Sequence, residues 1–126
     1  MKLLYFLLLL PILLYSNTNV YPTVELINSN IKIIDIRTKQ EWKQTGVIKG
    51  SKLITFFDKQ GRYDPNNFIQ QLLNVLDNNK EKFAIICRSG NRTGMIYPWL
   101  KKIGFNVINL KGGINYINTI GIKLEK

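Results

Sequence analysis

The chain has 126 residues, 45% of them hydrophobic and 21% charged, with a formal charge of +10. That is room for one domain with a real core, in a composition that argues against disorder. Histidine is absent and cysteine occurs once, which excludes Ser-His-Asp and Cys-His catalysis, a histidine-ligated or cysteine-rich metal site, and an internal disulfide.

Lys2 precedes an apolar run from Leu3 to Leu14, broken by Pro11 and followed by Tyr15-Ser16-Asn17. A basic start, a short apolar stretch and a change to polar residues describe a signal peptide over residues 1–16. The run is shorter than the roughly 20 residues of a membrane span, so export to the periplasm is expected. Leu14 is not the small residue a cleavage site prefers, and an uncleaved N-terminal anchor stays open. The folded domain is expected over residues 20–126. Its basic residues are scattered singly or in pairs and do not interleave with aromatics, so no nucleic-acid surface is expected.

Val20-Tyr21 suits a short strand, and Thr23 caps a short helix carrying Val24, Leu26 and Ile27. Ile31, Ile33, Ile34 and Ile36 then form a strand too apolar to have a wetted face. Thr38-Lys39-Gln40-Glu41 has the form of a capping box, which predicts a helix from Lys39 that Gly46 ends. Asp35, Arg37 and Glu41 read as an ion-pair and capping cluster that fixes this turn. Lys52 to Thr55 predicts another short strand. The loop from Phe56 to Pro65 holds two phenylalanines and Tyr63, which either line a pocket or cover the sheet edge. Asn66 to Asp77 repeats Phe68, Ile69, Leu72, Leu73 and Leu76 at helical spacing.

Phe83 to Ile86 predicts a buried strand that runs into Cys87. A helix is expected from Thr93 to Lys102, kinked by Pro98 and stopped at Gly104. Asn106 to Leu110 is a last strand, and Gly112-Gly113 turn into a helix that Gly121 ends. Strands alternating with helices predict an α/β fold, a mostly parallel central sheet with helices on both faces. Ligands of such sheets sit at the carboxyl ends of strands, where Cys87 stands. A strand, a glycine-containing turn and a helix start gather backbone N–H groups into a concavity that suits an anion. A buried structural cysteine is common at such a position, but an inert thiol has no need of Arg88 and Arg92 beside it. Helix starts and cations lower a thiol's pKa and make it a nucleophile.

Four segments, Ile-Ile-Asp-Ile-Arg-Thr-Lys-Gln-Glu-Trp at 33–42, Gly-Val-Ile-Lys-Gly-Ser at 46–51, Cys-Arg-Ser-Gly-Asn-Arg-Thr at 87–93 and Gly-Phe-x-Val-x-x-Leu-x-Gly-Gly-Ile at 104–114, fall in one order and spacing. In that order and spacing the chain resembles the rhodanese-like domain of sulfurtransferases over nearly all of its length after the signal. The resemblance implies that Cys87 takes a sulfane sulfur as a persulfide and passes it to a thiophilic acceptor. The surrounding loop, Arg88, Ser89, Gly90, Asn91 and Arg92, with Thr93 beside it, would hold the persulfide anion. Val47 stands where many members have histidine, and Tyr116 replaces a common tryptophan.

The resemblance calls for no cofactor or metal. It implies a small sulfur-donor anion or a protein persulfide as donor and a thiol as acceptor. A monomer is expected, with membrane contact only through an uncleaved N-terminal segment. Two other functions stay open: a carrier or anion-binding module without turnover, and a cysteine-dependent phosphatase or arsenate reductase. Phosphatases of related fold place five residues between their cysteine and arginine; here four residues, Arg88 to Asn91, separate Cys87 from Arg92.

Overall fold

Two four-residue strands lie side by side at the centre of the molecule. Lys32–Asp35 (β2) and Phe83–Ile86 (β4) pair in parallel, Ile34 opposite Ile85. Val107–Leu110 (β5) flanks β4, and the short strands Asn19–Val20 (β1) and Lys52–Leu53 (β3) form the edges. The order is β1-β5-β4-β2-β3 and every strand pairing is parallel. This computed structural model describes residues 17–126; the expected signal peptide or anchor at 1–16 lies outside them. Among the described residues no helix is long and apolar enough to cross a membrane.

Period-two alternation divides the core. Ile34, Ile36, Phe83, Ile85 and Cys87 point to one face, where they meet Phe68 and Leu72 of Pro65–Val75 (α3) and Ile96 and Leu100 of Asn91–Lys102 (α4). Ile33, Ala84, Ile86, Ile108 and Leu110 point to the other, against Ile27 of Val24–Ile27 (α1) and Ile114 and Ile117 of Gly113–Thr119 (α5). Helices thus cover both faces, which is why β4 is apolar throughout and β2 and β5 carry apolar side chains toward both. Each fully buried Ile, Leu or Phe contributes about 1.5–3 kcal/mol relative to its exposed state.

The Thr38–Glu41 capping box forms, and Lys39–Thr45 (α2) starts at Lys39 as its spacing predicts, with Gly46 as C-cap. Thr23 caps α1 by accepting the Leu26 N–H. Of the expected boundaries that shift, three bear on the structure. Asp64 caps α3, so Pro65 becomes the first helical residue, where its missing donor costs nothing. The strand expected at 52–55 keeps strand geometry only at Lys52–Leu53, although the Ile54 and Phe56 N–H groups still donate to the Asp35 and Ile36 carbonyls at 3.1 Å. The third shift matters most for the chemistry. Helix α4 begins at Asn91 instead of Thr93, because Gly90 at φ 98° turns the chain into it early, and it runs on through Pro98.

Of the loop aromatics, Phe56 joins the core with its ring 5.0 Å from that of Phe68. Phe57 and Tyr63 line an apolar groove of about 440 Å³ with Met95 and Trp99 of α4. Of the two roles left open by the sequence, lining a pocket is the one these rings fill, and Phe56 reaches the same groove from the core.

Candidate active site

Strand β4 ends at Ile86 and delivers Cys87 onto the α3–α4 face at its carboxyl end, where the residue is 1% exposed. The thiol Sγ accepts the Gly90 N–H at 3.2 Å and lies 3.5 Å from the Thr93 hydroxyl. Thr93 is itself buried and can donate to the Gly90 carbonyl at 3.3 Å. The predicted loop is thus a tight turn, Arg88 to Gly90, followed by the first turn of α4, which supplies Asn91, Arg92 and Thr93. The N-terminal end of a twelve-residue helix then sits beside the sulfur, an arrangement that favours an anion.

The turn is braced from the far side. Ile114 N–H donates to the Cys87 carbonyl at 2.9 Å, and Asn115 N–H to the Arg88 carbonyl at 3.0 Å. Gly112 and Gly113 carry φ of 77° and 60°, and a Cβ on Gly113 would lie 2.6 Å from the Arg88 carbonyl oxygen. Only glycine lets the β5–α5 corner approach the turn so closely. The sequence flagged this pair as a turn and missed its role as the floor of the site; two adjacent glycines after a strand were the available signal.

The arginines do not face the thiol directly. Arg92 makes a two-pronged pair with Glu41, Nη1 to Oε1 at 2.7 Å and Nη2 to Oε2 at 2.8 Å. Arg88 Nε reaches Glu41 Oε2 at 3.2 Å. Neither guanidinium donates a hydrogen bond to Sγ among the described residues, so their effect on the sulfur acts through space. The Arg92 hydrogen bonds, with help from the Thr38 N–H, outweigh burial and pull the Glu41 carboxyl down from 4.5 to about 2. Glu41 raises the Arg92 pKa in return, and the nearby Cys87 adds to that rise.

Asp35 and Arg37 behave as the predicted turn cluster. Arg37 is fully buried, and its Nη2 donates to Asp35 at 2.8 Å and to the Gly46 carbonyl at 2.7 Å, while Nη1 donates to Thr45 at 2.6 Å. Glu41 belongs to that cluster through its capping role and also to the site, which sequence reasoning did not foresee. Outside the turn opens a cavity of about 550 Å³, lined by Arg88, Ser89, Asn91 and Arg92 together with Thr38, Gln40, Gln44, Lys59 and the carboxylates Glu41 and Asp58. Ser89 and Asn91 therefore line the mouth, whereas Gly90 and Thr93 touch the sulfur. Among the described residues no cluster of acidic residues and cysteine could hold a metal ion.

The profile of the rhodanese-like domain matches residues 23–119. The chain belongs to the rhodanese-like domain family. An uncharacterized protein of Rickettsia prowazekii (strain Madrid E) is 31% identical over 93 residues, 70% of this chain and 72% of that protein. A solved protein of Rhodopseudomonas palustris, described as of unknown function and a possible tyrosine phosphatase, is 26% identical, covering 77% of this chain and 72% of its own, with a TM-score of 0.55. The structure of a probable thiosulfate sulfurtransferase shares the fold, at a TM-score of 0.60 and 20% identity, over 81% of this rhodanese-like chain and 45% of its own.

Proposed function

We propose that this rhodanese-like domain is a sulfurtransferase working through a Cys87 persulfide. The observation that carries the proposal is the thiol at the end of β4, receiving the Gly90 N–H inside a turn that opens a helix. In the first step the Cys87 thiolate attacks the sulfane sulfur of the donor. With thiosulfate, the bond from that sulfur to the sulfonate breaks, its electron pair leaves as sulfite, and Cys87 carries a persulfide. An acceptor thiolate then attacks the outer sulfur; the bond to Cys87 breaks, and its electron pair returns to Sγ as thiolate. No net oxidation occurs and no cofactor is required. The proposal extends to a monomer in the periplasm, exported or anchored by residues 1–16, taking sulfur from a small anion or a protein persulfide.

The possible-phosphatase description of the Rhodopseudomonas protein favours a second function, cysteine-dependent hydrolysis of a phosphate ester. Two features speak against it here: the four-residue spacing from Cys87 to Arg92, and the engagement of both Arg92 Nη groups by Glu41. Intact-mass measurement after incubation with thiosulfate tests the sulfur step. Wild type should gain the mass of one sulfur atom, lost on adding a thiol, and Cys87→Ser should gain nothing. An unchanged wild-type mass with both thiosulfate and an organic persulfide would refute the proposal.

A further inference from the structure

Glu41 is the one carboxylate that meets both arginines of the turn, and it meets them unequally. It accepts hydrogen bonds from both Nη groups of Arg92, whose side chain is 24% exposed, whereas its nearest approach to Arg88, whose side chain is 52% exposed, is an ion pair with Nε at 3.2 Å. The Nη groups of Arg88 donate no hydrogen bond among the described residues, and half of that side chain is open to solvent. An anion arriving at the mouth therefore finds Arg92 already occupied and one face of Arg88 open. To grip a compact oxyanion such as phosphate or sulfate against Cys87, the site would have to displace a buried carboxylate from a charge-assisted fork. Holding the anion beside that carboxylate instead would place like charges together at short range.

We propose that Glu41 is the selectivity-determining residue of this mouth: it withholds Arg92 from compact oxyanions and leaves Arg88 to anchor the charged end of an extended sulfur donor. The inference rests on the sulfur-transfer function above and narrows its substrate class. The donor keeps its transferable sulfur at one end and its negative group at the other. The cavity, about 550 Å³, is far larger than thiosulfate, and Thr38, Gln40 and Gln44 offer hydrogen bonds to a polar chain. A persulfide on a carboxylate-bearing, peptide-like carrier has that shape. The strong acidity of Glu41 agrees, since it keeps the blocking charge in place at every physiological pH.

The test reads protection of Cys87 from iodoacetamide by sodium phosphate and by sodium sulfate, with ionic strength held constant by sodium chloride. It needs no sulfur transfer, so it stays informative if the mass experiment fails. Glu41→Gln keeps an acceptor for the Thr38 N–H while removing the charge. It should tighten protection by both anions about tenfold or more, the scale of one unit charge at close range. Equal or weaker protection in a folded Glu41→Gln protein overturns the proposal. Arg88→Gln, at an exposed position, supplies an independent reading should Glu41→Gln not fold. Read with S-methylglutathione, a carboxylate-bearing peptide thioether, as the protecting anion, it should weaken wild-type protection at least about fivefold; unchanged protection there also overturns the proposal.

Discussion

Gly113 lies directly under the Cys87 turn: a Cβ built on it would stand 2.6 Å from the Arg88 carbonyl oxygen, at a backbone φ of 60°. The corner between β5 and α5 is in this way pressed against the turn that holds the nucleophile. Gly113→Ala must either push the two apart or strain the left-handed backbone, and it should cost about 2–4 kcal/mol of stability. The Ile114 and Asn115 hydrogen bonds to the turn should lengthen as well. Denaturant unfolding beside the rate of Cys87 alkylation would check this; an unchanged melting curve would show that the corner yields freely.

Cys87→Ser should fold with a stability change under about 1 kcal/mol, because the serine oxygen can still accept the Gly90 N–H. All sulfur transfer should vanish, since an alcohol cannot carry sulfane sulfur. Transfer surviving in a well-folded Cys87→Ser protein would remove the residue from the chemistry.

Burial makes a further demand on Cys87. At 1% exposure, a bulky aromatic disulfide should react at least about tenfold more slowly, relative to a free thiol of matched acidity, than a small methanethiosulfonate does. Stopped-flow rates with both reagents give the ratio. Equal relative rates would mean that the turn opens faster than either reagent attacks.

Glu41 also sets a pH dependence. Its carboxyl falls from 4.5 to about 2 on folding, so the folded state favours the ionised form. The stability it contributes is fully present above about pH 5 and is lost as pH falls through about 2. After discounting for solvent screening, its size is on the order of 2 kcal/mol. Glu41→Gln should therefore be less stable than wild type at pH 7 by about that amount and nearly equal to it at pH 2. A constant gap across that window would place its contribution outside the charge.

The Asp35–Arg37 pair carries a different prediction. Both side chains are buried, and Arg37 is also satisfied by Thr45 and Gly46. Asp35→Ala strands a guanidinium and should cost about 3–5 kcal/mol. Urea unfolding measures it, and a loss below about 1 kcal/mol would mean that water enters the turn.

Much of this was legible in the sequence because it was local. The capping box at Thr38–Glu41, the apolar strands and the placement of Cys87 at a strand end depend on residues a few positions apart, whose spacing carries the signal. The pairing of Glu41 with Arg92 spans 51 positions, and spacing says nothing about which of several charged partners a tertiary approach will select. Sequence reasoning accordingly set the arginines beside the thiol and left Glu41 to the turn, whereas the fold joins them. The early start of α4 was hidden for a related reason. It depends on Gly90 adopting a left-handed conformation beneath Gly112, 22 residues away.

Glu41 serves two masters. The same Oε1 that accepts the Thr38 N–H at 3.3 Å, completing the cap of α2, accepts Arg92 Nη1 at 2.7 Å across the mouth. A lineage or an engineer seeking a different anion preference at this position would be changing the start of a helix in the same stroke. A new specificity here would call for compensating substitutions around Thr38, or for a route through Arg88 and Lys59, whose side chains bear little of the fold's weight.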